Sequence, residues 1–145
     1  MRTRTVRTVA LACLLALLGC AGEEIPRVER LIDPYPAPWE IDFAGLTGSR
    51  RGERVEATIR FESPVDTLVV DLACRLTPAC EMVSGRFRAV DVGARVEGSV
   101  RPLSLTFQGG QGGRPAFGAR LELVSEAGTR LYRVTLPPTE LSPAR

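Results

Sequence analysis

The sequence predicts an all-β domain over residues 39–138, an antiparallel β-sandwich of about seven or eight strands or a small barrel. Three observations carry this prediction. Apolar residues recur with period two from Trp39 onward. Clusters of Gly, Pro, Ser and Asp break these runs at short intervals, as turns do. No stretch after residue 38 sustains a 3.6-residue period flanked by helix caps.

The runs follow in order. Trp39-Glu40-Ile41-Asp42-Phe43 alternates apolar and acidic residues, and Gly45–Gly52 reads as a loop. In Arg54–Glu62, Val55, Ala57, Ile59 and Phe61 share one face, with Glu56, Thr58, Arg60 and Glu62 opposite. After Ser63-Pro64, the run Thr67–Cys74 puts Leu68, Val70, Leu72 and Cys74 together. Arg86–Ala89 alternates in one register, and from Val90 the register slips by one residue. Such a slip marks a bulge or turn near Ala89–Gly93. Val96 and Val100 continue, Arg101-Pro102 reads as a turn, and Leu103, Leu105 and Phe107 start a further strand. Gly109–Gly113 reads as a hairpin loop. Phe117, Ala119, Leu121 and Leu123 then share a face, Glu126-Ala127-Gly128 turns the chain, and Tyr132, Val134 and Leu136 form the last strand. Residues 139–145 read as a C-terminal tail. The spacing is that of an immunoglobulin-like architecture. The cysteines are placed wrongly for the disulfide of antibody domains, so architecture alone is expected.

The N-terminus has a different character. Residues 1–8 carry Arg2, Arg4 and Arg7 and no acid, and Val9–Gly19 is an uncharged apolar run. Eleven residues cannot cross a hydrocarbon core, which takes about 20 as a helix. A basic, then apolar, then small-residue order fits a secretory signal, and the run ends Leu17-Leu18-Gly19-Cys20. This motif resembles the lipobox of bacterial lipoproteins. The resemblance implies a signal peptide over 1–19, cleavage before Cys20, and Cys20 as the lipidated first residue of the mature chain. It further implies a domain outside the cytoplasm, membrane-held, with Ala21 rather than Asp after the Cys favouring an outer membrane where the organism has one. Residues 20–38, with Pro26, Pro34, Pro36 and Pro38, read as a Pro-rich tether.

Composition narrows the chemistry. The chain has 145 residues, 19 basic and 17 acidic, with no His; every basic residue is Arg. Zero His removes Ser–His and Cys–His nucleophile activation and His-bound metals. Zero Lys removes Schiff-base chemistry. Without the three Arg of residues 1–19, the basic count falls from 19 to 16 against 17 acids. The electrostatic case for a nucleic-acid partner falls with it. Carboxylate pairs, Glu40 with Asp42 and Glu56 with Glu62, lie on polar strand faces, where they stay solvated. No catalytic residue, metal or cofactor is assigned.

Cys13 leaves with the signal and Cys20 takes the lipid, so Cys74 and Cys80 are expected to form a disulfide in an oxidising compartment. It would clamp the loop Arg75-Leu76-Thr77-Pro78-Ala79. Candidate binding residues are therefore Arg75, Leu76, Thr77 and Pro78, together with the basic pair Arg50 and Arg51. The expected function is a lipid-anchored, non-catalytic envelope protein that binds or scaffolds an envelope protein or glycan. The alternatives are an accessory structural subunit of an envelope assembly and an enzyme using carboxylates on an envelope polymer.

Overall fold

In the computed structural model, which describes residues 24–32, 36–110 and 113–143, every element is a strand. Cys20 and the signal segment lie outside the described residues, as do Pro34 and Tyr35. Seven long strands carry the fold: β3 (Asp42–Arg51), β4 (Arg54–Glu62), β5 (Thr67–Leu76), β6 (Cys80–Asp91), β7 (Ala94–Gly110), β8 (Gly113–Ser125) and β9 (Arg130–Glu140). Three short ones flank them: β1 (Arg27–Arg30), β2 (Ala37–Pro38) and β10 (Ser142–Pro143). All join one sheet in the order β10-β3-β4-β5-β6-β7-β8-β9-β1-β2. The all-β class is as expected. The two-sheet sandwich is not: the strands form an up-and-down meander curled into a half-barrel.

Period-two patterning explains the curl. Val55, Ala57, Ile59 and Phe61 of β4, Leu68, Val70, Leu72 and Cys74 of β5, and Phe117, Ala119, Leu121 and Leu123 of β8 all point to one face and are buried. A sheet with one apolar face must hide it against another layer or against itself, and this one bends round its own core.

Seven alternating strands make the first and last run the same way. β10 continues β9 after one residue, Leu141, whose N–H donates to the Pro115 carbonyl of β8 at 2.9 Å. Ser142 and Pro143 then pair in parallel with Thr47 and Gly48 of β3. The meander is thereby drawn together at the end that carries the β3–β4 and β5–β6 turns, called here the upper end. A side chain at Gly48 would collide with the Glu56 carbonyl and with Leu141, so the joint needs glycine. Within the expected tail 139–145, residues up to Pro143 are thus built into the sheet.

At the lower end the gap between β9 and β3 is filled by the N-terminal ribbon. β1 pairs antiparallel with β9 through Arg27–Arg30 and Tyr132–Thr135, and β2 pairs with β1. Val28 is buried in the core. The expected tether therefore shortens, because residues 27–30 and 37–38 of it belong to the sheet.

Trp39 closes the lower end. Its N–H donates to the Val28 carbonyl at 2.9 Å, and its ring stacks on Tyr132 with centroids 4.7 Å apart. The indole Nε1 donates to Asp66 Oδ2 at 3.2 Å. Arg30 lies over the indole at 5.3 Å and grips Asp91 with two bonds, 3.1 Å from Nε and 2.7 Å from Nη2, while Tyr132 Oη donates to Asp91 Oδ2 at 2.9 Å. The Arg30 guanidinium holds the Asp91 carboxyl below the usual carboxylate range, against the opposing effect of burial and with help from Tyr132.

The Asp91 effect fixes a sign. A depressed folded pKa stabilises the fold above the unfolded value, about 3.9, and the contribution is lost as pH falls through the folded value. The stability gap between wild type and Asp91→Asn, read by urea unfolding, is therefore expected to be largest near neutral pH and to narrow below about pH 4. A second outcome concerns the β6–β7 turn. Val92 there has φ of 51°, followed by Gly93 at 78°, and its N–H donates to Asp66 Oδ1 at 2.9 Å. A β-branched residue in this region is strained by roughly 1–2 kcal/mol, and Val92 is exposed, so its side chain returns little. Val92→Asn, which gives the Asn-Gly pair this turn favours, is expected to raise stability by about 1 kcal/mol in the same measurement.

Candidate functional site

Alternation of strand direction brings the residues singled out from sequence to the upper end. The Leu76 N–H donates to the Glu53 carbonyl at 2.7 Å, joining the β5–β6 turn to the β3–β4 turn. The two groups do not, however, form one basic surface. Residues 45–51 extend β3 instead of forming a loop, because Leu46 points into the core and Gly48 lets the neighbouring strand approach. Arg50 is opposite Val55 on the inward side. Its guanidinium lies over the Phe107 ring of β7 at 5.6 Å, and Nε donates to the Gly52 carbonyl at 3.0 Å. Arg50 remains exposed to solvent over the half-buried Phe107 ring. Arg51 pairs with Arg54 across the turn, and Arg54 meets Glu56 at 3.4 Å on the outer side. Arg75 faces outward opposite Arg54 and Glu81, Leu76 is half-buried on the inner side, and Thr77 and Pro78 are exposed.

The expected disulfide is also revised. Cys74 and Cys80 are free thiols. Register gives the reason: Cys74 is opposite Met82 and Cys80 opposite Leu76, so the two cysteines are diagonal neighbours on the inner face. Diagonal positions lie about 7–8 Å apart between Cα atoms, beyond the usual span of a disulfide, about 4.4–6.8 Å. Burial, and then the nearby Cys80 thiol, push Cys74 up to about 12. Burial also raises Cys80, with a hydrogen bond to Cys74 opposing it.

Next to this pair lies a feature that sequence periodicity does not reveal. β6 and β7 pair only from Arg86 to Asp91 and from Ala94 to Ser99. Above that, Cys80–Gly85 pairs on one side with β5, and Val100–Gly110 pairs on one side with β8. The sheet is therefore split along a seam with a free strand edge on each side. A cleft of about 440 Å³ occupies it, lined by Ala79, Cys80, Met82, Pro102, Leu103 and Leu105 among others. Bulges sit on both edges, one skipping Val83 and one skipping Leu103, and both residues are exposed. Pro102, expected to mark a turn, lies inside β7. It falls where β7 has lost its β6 partner, the setting in which a strand tolerates a residue without N–H.

The carboxylates expected to be solvated are so: Glu40, Asp42, Glu56 and Glu62 are exposed. The buried acids are others. Asp66 bonds Trp39 and Val92, and Glu122 lies 3.4 Å from Arg130 and 3.5 Å from Arg133. Each is satisfied by donors and sits away from the seam. Among the described residues no three His, Cys, Asp or Glu gather as a metal-binding group. No family model, curated protein or solved structure matches the chain.

The seam makes a measurable statement about the ladder. In hydrogen exchange of the isolated protein, alternate amides within Cys80–Gly85 and Val100–Gln108 are expected to exchange far faster than those of Arg86–Asp91. Uniform protection along β6 would contradict the split.

Proposed function

We propose that the chain is an exported, lipid-anchored, non-catalytic binding protein of a bacterial cell envelope, held to a membrane through acylated Cys20. Its binding surface is the β6–β7 seam, and its partner is an extended polypeptide segment of another envelope protein. The anchor rests on Leu17-Leu18-Gly19-Cys20. The binding role rests on one observation, the two unpaired strand edges. Free edges are templates for an added strand, with main-chain hydrogen bonds giving affinity and alternate side chains giving specificity. The inner side of the seam is apolar at Met82 and Leu105. A segment with apolar residues at alternate positions matches it.

With β1 starting at Arg27, six residues separate Cys20 from the sheet. Extended, they reach about 20 Å, which keeps the domain near the bilayer that carries the anchor. An outer-membrane address follows from Ala21 in organisms that have that membrane.

Two readings check the proposal. Labelled palmitate is expected to enter the wild-type chain and to be lost in Cys20→Ala; unchanged incorporation refutes the anchor. A photocrosslinking residue at Leu103 is expected to trap a polypeptide in intact envelopes, while one at Thr58 on the outer face of β4 is not. Equal trapping at both positions, or none, refutes the seam as the binding surface.

A further inference from the structure

The inner wall beside the seam holds three sulfur side chains and no other soft donor. Cys74 and Met82 are directly opposite in the β5–β6 ladder, and Cys80 is on the same face one step along. Opposite residues on one face have Cβ atoms about 4.5–5.5 Å apart, and diagonal ones are within reach of a long side chain. Cys74 is 1% exposed, whereas Cys80 and Met82 are half-buried and line the cleft, so an ion has a path in from solvent. Glu81, between the two sulfur residues of β6, is exposed and also lines the cleft, but does not gather with the two cysteines as a third charged donor among the described residues. The Met82 thioether turns toward Gly85, where a Cβ would lie 2.9 Å from Sδ. The glycine gives the sulfur its room, and the flexible Met side chain lets it swing.

We infer that Cys74, Cys80 and Met82 form a binding site for monovalent copper, held by two thiolates and one thioether. Soft sulfur donors select Cu(I). A structural zinc site takes four ligands from thiolate, imidazole or carboxylate, and here the third donor is a thioether with no fourth in reach on this face. Binding breaks two S–H bonds and forms two Cu–thiolate bonds and one dative Cu–thioether bond. Two protons go to solvent, and no electron moves. This inference goes beyond the proposed function and holds whether or not the chain is anchored or binds a strand.

The test uses the full chain carrying Cys13→Ser and Cys20→Ser, so that Cys74 and Cys80 are the only thiols. Under anaerobic reducing conditions it is titrated with Cu(I) against a chromophoric Cu(I) chelator. One Cu(I) per chain is expected, with X-ray absorption showing sulfur donors alone. Met82→Leu preserves size and apolarity, and its folding is checked by the urea midpoint. Its affinity is expected to fall by more than the roughly 10–100-fold that loss of a supporting hydrogen bond costs a metal site. Cys80→Ser, at a half-exposed position, is expected to abolish binding in competition. An unchanged affinity in Met82→Leu, equal retention of Zn(II), or no Cu(I) held against the chelator overturns the inference. So does a freshly isolated chain with no titratable thiol and a mass lower by two hydrogens, which identifies a disulfide instead.

Discussion

A single sheet has one apolar face, and that face must leave water. In this chain no helix and no second sheet is available among the described residues, so the sheet covers itself. Most features of the molecule follow from that constraint. Curling brings strands that are distant in sequence into contact across the interior, as Arg50 of β3 reaches Phe107 of β7. It also forces a meeting between the first and last strands. With seven long strands these run parallel, and a parallel pair slots poorly beside six antiparallel ones. Two residue pairs suffice to draw the upper end together, and the lower end needs the β1–β2 ribbon as a filler. The Trp39–Tyr132–Asp91–Arg30 cluster locks that filler in place, with the aromatic stack supplying apolar contact and the ion pair satisfying the polar atoms that the ribbon brings inside.

The inward faces were legible because side-chain direction depends only on local backbone period. Val55, Ala57, Ile59 and Phe61, and Leu68, Val70, Leu72 and Cys74, are buried as their alternation requires, and the slip near Ala89–Gly93 is the Val92-Gly93 turn. What could not be read locally is which strand lies beside which. Val28 is one apolar residue in a proline-flanked stretch, and only the empty place next to β9 makes a strand of it. Arg50, read from composition as part of a loop cluster, faces inward because Leu46 sets the register of β3. Pro102 is a turn signal by propensity, yet its missing N–H does no harm where β7 has no partner on one side. The seam itself is a property of pairing between strands, and period-two patterning is silent on that.

The cysteines make the same point at the scale of a single ladder. Spacing of five intervening residues suits a bridged hairpin, and an oxidising compartment would favour one. The hairpin's register decides otherwise. The three-residue turn Thr77–Ala79 sets Cys80 against Leu76 and hence Cys74 against Met82, and the bulge at Val83 joins this register to the one below it. Without the bulge, the lower register carried up to the turn would set Cys74 against Val83 and turn Cys80 to the other face, so the bulge brings both cysteines to the inner face and places Met82, not Cys80, opposite Cys74.

The two gaps in the sheet differ in what borders them. The lower gap is filled by a segment covalently joined to β3, so closing it costs no association entropy. The upper seam has no such segment among the described residues, and both its edges are bulged, one of them carrying a proline. Bulges and prolines on an edge discourage indiscriminate pairing with other chains. They also keep β6 and β7 apart, since each bulge bends its strand away from regular register. Under the proposed strand addition, an incoming strand would have to accommodate Val83 and Leu103, so the features that guard the seam against indiscriminate pairing would also set its selectivity. Stability is lowest where ladder bonds are fewest, and a strand or ion held between β6 and β5 or β7 would tighten a part of the half-barrel where the described strands leave edges unpaired.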